Sequence, residues 1–166
     1  GAIKTPVQII ETKAYTPSTT SASFDVVNAV GGGSVSFTGH TPYSASSTWG
    51  PHQLFDGTRT INDYCSLTGT SPLFNQFVFP RSFYISSIFV IPRPQNDNFP
   101  TSIDVIVDNN NIGTFSPTTL TSGSGQSLSY SGTGYKIQPK QYGTTWKLEF
   151  PDSAVYLGEL EFWGTL

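Results

Sequence analysis

The chain closes on the stretch Gly158-Glu-Leu-Glu-Phe-Trp-Gly164, and this stretch decides the fold. It alternates apolar residues with polar or small ones, which predicts a final β-strand that delivers Glu159 or Glu161 to a loop end. Earlier, Phe55-Asp-Gly57 places Asp56 on a tight turn, where main-chain carbonyls also point outward. Calcium favours this mixture of carboxylate and carbonyl oxygens. The two stretches together predict a small β-domain closed by an ion.

Short runs rich in β-branched and aromatic residues recur between turn signals along the whole chain. No run of helical period is long enough to compete with them. Strands without βαβ alternation predict an all-β fold, a sandwich of two antiparallel sheets. The predicted strands are Val7–Glu11, Ser23–Val27, Ser34–Phe37, Gln76–Phe79, Tyr84–Ile91, Ser102–Val107, Tyr135–Gln138, Trp146–Phe150 and Leu157–Trp163.

The first part of the chain differs in composition from the rest. Residues 16–23 are rich in Ser and Thr, and Gly31-Gly-Gly33 is a flexible hinge. We therefore expect residues 1–33 to be a lead-in or linker, which either contributes the first strands or connects to a stalk. Residues 34–166 are expected to form the β-sandwich domain. The lack of methionine indicates a piece of a longer protein.

Charge and composition exclude several classes of function. Charged residues make up 11% of the chain, against about 25% in an average soluble domain. The resulting neutral polar surface is typical of extracellular proteins, either secreted or on a virion surface. Eight scattered basic residues and a net charge of -3 argue against nucleic-acid binding. No apolar stretch approaches the ~18 residues of a membrane span, so we expect no membrane insertion.

No set of residues in the sequence assembles into a catalyst. The eleven acidic residues lie singly on strands or turns, and nothing selects the pair that a glycosidase needs. The chain has neither a serine-hydrolase elbow nor a zinc-binding histidine pair. Cys65, the single cysteine, is better explained as a buried thiol than as a nucleophile. We therefore expect a protein that is not an enzyme.

Seven short elements over about residues 40–166 follow one another in a distinctive order. They are Ala45–Ser47, Leu54–Gly57, Phe77–Phe79, Ile88–Arg93, Ile103–Asp108, Trp146–Phe150 and Gly158–Gly164. In this order they resemble the discoidin-type domains, the family of the coagulation-factor C-type domains and of many galactose-binding-like carbohydrate modules. The resemblance implies a β-sandwich jelly roll of about eight strands, with a structural calcium near one end and a ligand site on edge loops.

The resemblance also implies a set of calcium ligands, with Asp56 and Glu159 as its two carboxylates. Main-chain oxygens would complete the shell, at Gln53, Thr58, Ile61 and Gly158. The family usually has a threonine hydroxyl where Ile61 stands, so either Thr60 or Asn62 replaces it or the site is weaker or empty. The residues alone also allow a plain Asp-Gly turn and a merely solvated glutamate.

Four residues match the positions at which galactose-binding relatives hold the sugar. Arg93 follows the Ile-Pro strand, Asn98 comes five residues later, Tyr156 precedes the closing motif, and Tyr64 follows the Asp-Gly turn. Arginine and asparagine supply fixed donors and an acceptor for neighbouring hydroxyls, and an aromatic face packs on the apolar side of a sugar ring.

Structural roles compete with these assignments. Arg93 could instead brace the fold through Asp97 or Asp104, with about equal weight. Tyr156 could be a core ring, and Trp49 is better explained by core packing.

The sequence thus predicts a non-catalytic, calcium-stabilised glycan-recognition module that attaches its parent protein to a cell surface or polysaccharide. Its partners would be glycans or a host cell-surface receptor, and the parent protein could make it a homo-oligomer. The alternative is a distal receptor-binding or structural assembly domain of a viral or phage spike that reads no sugar. Phospholipid or protein recognition would require exposed apolar loop tips, for which Phe99 and Phe115 are the candidates.

Overall fold

The computed structural model describes residues 5–10, 23–39, 49–57, 63–120 and 132–165, with the backbone alone at 23–28. The described residues are nearly all β-structure, which confirms the predicted fold class. A short 3-10 turn spans Pro51–Leu54. The strands are β1 (Val7–Gln8), β2 (Ser23–Asn28), β3 (Ser34–Gly39), β4 (Cys65–Thr68), β5 (Leu73–Ile91), β6 (Ile103–Val107), β7 (Asn110–Phe115), β8 (Thr118–Leu120), β9 (Gly132–Ile137), β10 (Gln141–Phe150), β11 (Ala154–Leu157) and β12 (Glu159–Thr165).

The strand number exceeds the expected eight or so because several strands are very short. Strands β1, β4, β8 and β11 have two to four residues each, and the other strands of the described segments have five or more. Strands β4 and β11 pair only with each other in a small sheet. This small sheet carries part of the candidate site.

The long strand β5 organises the sandwich: β3 pairs with its first half, β9 and β12 pair with its second half, and β10 pairs along the first half and on to Ile85. In the first half, Phe77 lies opposite Phe37 of β3 and Trp146 of β10. In the second half, Ile88 lies opposite Phe162 of β12 and Ile137 of β9. The sheet then continues from β10 to β6 and β7, and from β12 to β1. All these pairs are antiparallel, as the sequence predicts.

The main core lies between the layers that these two halves of β5 build. Phe162 of β12 packs with its ring centroid 5.5 Å from Phe77 and 5.3 Å from Phe79, both in the first half of β5. Trp146 is fully buried and lies 6.3 Å from Phe162. Each such aromatic side chain contributes roughly 1.5–3 kcal/mol by its burial. The alternation that the closing stretch shows in sequence therefore does what it predicts, by placing one face of β12 in the core.

The described part of residues 1–33 belongs to the same sheet. Strand β1 pairs with β12, while Ile9 and Ile10 are buried in the main core and Ile10 bridges to Ala29. Strand β2 pairs with β3, and the guanidinium of Arg81 donates hydrogen bonds to the main-chain oxygens of the turn between them. These segments are strands, and the boundary placed at residue 33 stays a prediction.

The single cysteine lies in the core. Cys65 is fully buried at the start of β4, and burial raises the pKa of its thiol, so the group stays protonated.

None of the residues that the structure describes forms a helix long and apolar enough to cross a membrane.

Candidate functional site

The four predicted ligand residues come together beside the end of β5. Arg93 and Asn98 lie on the loop that follows β5, Tyr64 directly precedes β4, and Tyr156 lies on β11. The carbon of the Arg93 guanidinium is 4.2 Å from the ring centroid of Tyr64 and 5.4 Å from that of Tyr156. The amide of Tyr156 donates a 2.9 Å hydrogen bond to the main-chain oxygen of Asn98. We call this group, with its loop neighbours Gln95 and Asp97 and with Trp49, the Arg93 cluster.

The guanidinium of Arg93 has a fixed position. The residue is only 9% exposed, and its Nε lies 2.8 Å from Oδ1 of Asp97, as an ion pair outside ideal hydrogen-bond geometry. A second nitrogen of the guanidinium donates to the side-chain oxygen of Gln95. Asp104, the other acid considered for this pairing, accepts a hydrogen bond from Thr114 instead. Bracing by Asp97 and proximity to the predicted ligand residues are therefore both present.

Tyr64 is less exposed than a sugar-stacking ring should be. It is 8% exposed, and besides its contact with Arg93 it stacks on Trp49 at 5.8 Å with an interplanar angle of 26°. Its ring centroid is also 5.1 Å from that of Tyr156. Tyr64 is thus placed to support the guanidinium, whereas Tyr156 and Trp49 are half-buried and reach solvent. Sequence reasoning assigned Trp49 to core packing, and only the fold shows that it joins this cluster.

The loop after β5 is anchored at both ends and polar in between. The amide of Asn96 donates to the main-chain oxygen of Arg93 at 2.9 Å, and Asn96 and Asn98 have positive φ angles of 61° and 49°. Asparagine tolerates this left-handed conformation better than most residues. At the far end, the hydroxyl of Tyr135 donates to the oxygen of Pro100 at 2.7 Å. The side chains of Gln95, Asn96 and Asn98 remain exposed at the rim.

Phe99 and Phe115, the two candidates for exposed apolar loop tips, are not exposed. Phe99 packs against Tyr135 with a centroid distance of 5.1 Å, and both Phe99 and Phe115 are partly buried against the main core. A rim of amide side chains next to a fixed guanidinium suits hydroxyl-bearing ligands better than a lipid surface.

The two acids that the resemblance implied as calcium ligands meet in the fold. Asp56 lies just after the 3-10 turn, and its side chain forms a hydrogen bond with Glu159 at the start of β12. Burial, and then the Asp56 carboxyl and the charge of Glu161, raise the pKa of Glu159 to about 11, against a small opposing effect of the Gly57 amide. The structure thus joins two acids that are far apart in the chain.

The surroundings of Glu159 fit a hard divalent cation. Its Oε1 atom is buried and accepts no hydrogen bond from the residues described. Gly57 follows Asp56 and Gln53 precedes it by three residues, so the main-chain oxygens of this turn are the ones that would complete a shell of the kind calcium takes. Within the described segments no three His, Cys, Asp or Glu side chains cluster, so these oxygens would have to carry much of the coordination. Predicted ligands Thr58 and Ile61, with the alternatives Thr60 and Asn62, lie outside the described residues.

The choice between the two glutamates of the closing stretch is clear from their contacts. Glu161 accepts a 2.8 Å hydrogen bond from the indole nitrogen of Trp163, and burial raises its pKa. Glu159 instead faces Asp56, and its neighbour Gly158 donates to the oxygen of Ile91 at 2.8 Å. Glu159 is therefore the glutamate that reaches the Asp-Gly turn.

Solved carbohydrate-binding proteins share this fold. The chain is similar to the family 32 carbohydrate-binding module of Clostridium perfringens NanJ, whose structure was solved in complex with galactose. The two chains are 16% identical, the match covers 78% of this chain and 91% of the other, and the TM-score is 0.51. An F5/8 type C domain from Bacteroides fragilis is 15% identical over 79% of this chain and 91% of that chain, with a TM-score of 0.56.

A fish lectin extends the comparison. The F-lectin from the serum of Morone saxatilis (striped bass) is 12% identical and matches 80% of this chain with a TM-score of 0.56. The match spans 46% of the length of that lectin. No protein-family model and no curated protein matches the sequence. The structural matches show that the chain has a discoidin-like, galactose-binding-domain-like β-sandwich fold.

Proposed function

We propose that the chain is a non-catalytic glycan-recognition module, which attaches its parent protein to a cell surface or a polysaccharide. The observation that carries the proposal is the Arg93 cluster, in which a guanidinium held by Asp97 and Gln95 lies over the rings of Tyr64 and Tyr156. The similarity in fold to carbohydrate-binding modules and lectins supports the same function.

Each part of the cluster has a task in holding a sugar. Arg93 is oriented before the ligand arrives, so binding spends little conformational entropy on this long side chain. The exposed amide of Asn98 offers a donor and an acceptor to a hydroxyl pair. The half-buried ring of Tyr156 offers an apolar face to the C–H side of a pyranose. The ring of Tyr64 packs against the guanidinium of Arg93 and holds it in place.

Calcium is the second part of the proposal. Asp56 and Glu159 would hold the ion with main-chain oxygens of the Asp-Gly turn and of Gly158. A bound Ca²⁺ would supply the positive charge that lets the buried carboxyl of Glu159 ionise beside the half-buried Asp56. The residues of this chain bring the acids to one point and exclude water from one of the glutamate oxygens.

We expect a single copy of the module to bind a sugar weakly and several copies to bind more tightly. A single shallow site that trades water for protein hydrogen bonds binds a monosaccharide weakly. Several copies on one parent protein raise the avidity by effective concentration. We therefore place the module on an extracellular, secreted or virion-surface protein, with glycans or a host cell-surface receptor as partners and oligomerisation through the parent.

A glycan array probed with and without a calcium chelator tests the proposal. Asn98→Gly keeps the positive φ that alanine would strain, so lost binding would report the side chain and not the backbone. Asn109→Gly is the matched control, because Asn109 is also exposed with a positive φ of 70° but lies in the distant turn between β6 and β7. We expect Asn98→Gly to lose galactoside binding and Asn109→Gly to keep it.

The same array can overturn the proposal. A correctly folded chain that binds none of a broad set of glycans would contradict recognition of sugars. That result would favour the structural or receptor-binding domain of a viral or phage spike.

A further inference from the structure

The short segment Tyr156–Glu159 joins the Arg93 cluster to the acid pair. Its first residue flanks the guanidinium of Arg93, and its last contacts Asp56. Only Leu157, which is fully buried in the core, and Gly158 lie between them. The two candidate sites are therefore neighbours along one piece of backbone.

The segment is also held against the loop of Arg93 at two points. The amide of Gly158 donates to Ile91 at 2.8 Å, and the amide of Tyr156 donates to Asn98 at 2.9 Å. At Gly158 the backbones touch, because an added Cβ would lie 2.6 Å from the oxygen of Pro92 and 3.1 Å from Cα of Arg93. Gly158 therefore cannot move toward the loop without moving the backbone of Arg93.

We propose that a cation held by Asp56 and Glu159 stabilises the Arg93 loop through Gly158, so that cation and glycan bind cooperatively. The inference rests on the proposed function, and it assigns Gly158 the role of a positioning residue. A cation that draws both carboxylates to one point restricts the backbone from Leu157 to Glu159, and close contact passes this restriction to Pro92 and Arg93. Coupling is reciprocal, so the sugar must also raise the affinity for calcium.

Hydrogen exchange measures this coupling without any sugar. The amide of Asn96 donates to Arg93 within the loop, and the amide of Tyr156 on β11 donates to the loop at Asn98. Both amides therefore report the opening of the loop. We expect both to exchange at least about fivefold more slowly in millimolar CaCl₂ than in chelator, at the lower end of typical coupling. The amide of Asp108, bonded to Thr145 in a distant turn, is the internal control and should not change. Equal rates for the loop amides in both buffers would overturn the inference.

Two variants separate coupling from plain stability. Gly158→Ala should still be stabilised by calcium in a melting experiment, but its loop amides should respond much less, since the added methyl displaces the contact with Pro92 and Arg93. A merely structural glycine would lower the melting temperature and leave the calcium response of these amides unchanged. Asp56→Asn should remove the response even where Gly158→Ala fails to fold. Glu149→Gln, which removes a half-buried acid on β10, is the control that should keep it.

Titration with galactose distinguishes this inference from the proposed function. We expect galactose to bind about fivefold more tightly with calcium than with chelator, in line with typical coupling energies. Equal galactose affinity in both buffers would overturn the coupling and leave glycan recognition standing. If no glycan binds but calcium still slows exchange at Asn96 and Tyr156, the link from the cation to the loop is supported and recognition of sugars is wrong.

Discussion

Two groups of ionisable side chains lie on either side of Gly158, and their surroundings are opposite in charge. Arg93 has the carboxylate of Asp97, the amide of Gln95 and the faces of two tyrosine rings around it. Glu159 is buried to a similar extent, yet the groups that shift its pKa include two further acids, Asp56 and Glu161. The described residues therefore give Arg93 partners of opposite charge or with an acceptor oxygen, but they place Glu159 beside further acids.

This difference is the basis for our proposal that the Arg93 cluster binds the sugar and the acid pair binds the ion. A buried charge is stable when opposite charge and hydrogen bonds surround it, as they do at Arg93. A buried carboxyl beside a second acid, as at Glu159, is stable when it binds a proton or when a cation lies between the two acids. On our proposal, the Arg93 cluster therefore binds a neutral ligand without a further ion, whereas the acid pair takes up a cation.

The strongest test of this contrast is the addition of calcium. At a free concentration 100 times its Kd, an ion that binds only the folded state raises the free energy of unfolding by about 2.7 kcal/mol. We expect a corresponding rise of the melting temperature in calorimetry, and none in Asp56→Asn. Mg²⁺ should stabilise less, because it requires a tighter octahedral shell. An unchanged melting temperature in millimolar calcium would remove the acid pair as an ion site.

A smaller effect is expected from Arg93→Ala in chelator. The substitution removes the guanidinium that packs over Tyr64 and Tyr156, and we expect the free energy of unfolding to fall by about 2 kcal/mol, within the range for a buried side chain. Little of this loss comes from the ion pair, because Asp97 is 42% exposed and well screened. Urea unfolding measures it, with Arg93→Lys to retain the charge. Wild-type stability in Arg93→Ala would show that the cluster is not a packed unit.

The smallest effect is expected from Ser66→Ala. Ser66 lies opposite Tyr156 in the pairing of β11 with β4, and its buried hydroxyl has no hydrogen-bond partner among the described residues. Removing an unsatisfied hydroxyl costs little, so the free energy of unfolding should stay within about 0.5 kcal/mol or rise slightly. Urea unfolding and galactose binding should both match wild type. A large loss of stability would mean that the cluster depends on a polar contact at Ser66.

Local sequence patterns predicted the strands well. The alternation after Gly158 corresponds to β12, and the predicted strand Ser102–Val107 corresponds to β6. Both depend on residues close together in the chain, where periodicity and turn propensity act directly. The pairing of Arg93 with Asp97 is local too, and was one of the two alternatives considered.

Contacts between distant parts of the chain were harder to predict from the sequence. Trp49 stacks on Tyr64, which in turn supports Arg93, yet the three come from separate parts of the chain. Nothing near Trp49 in sequence distinguishes this role from core packing. The buried position of Tyr64 likewise follows from the fold alone, although its place near the site came from the resemblance.

The sequence by itself determined the β-class, the position of the closing strand and the residue types at the site, because side-chain alternation and turn chemistry are local properties. Only the tertiary structure decided that Tyr64 supports Arg93, that Glu159 rather than Glu161 faces Asp56, and that Gly158 touches the Arg93 loop. Those contacts depend on how the two halves of β5 bring distant segments together, and burial then sets which charges need a partner.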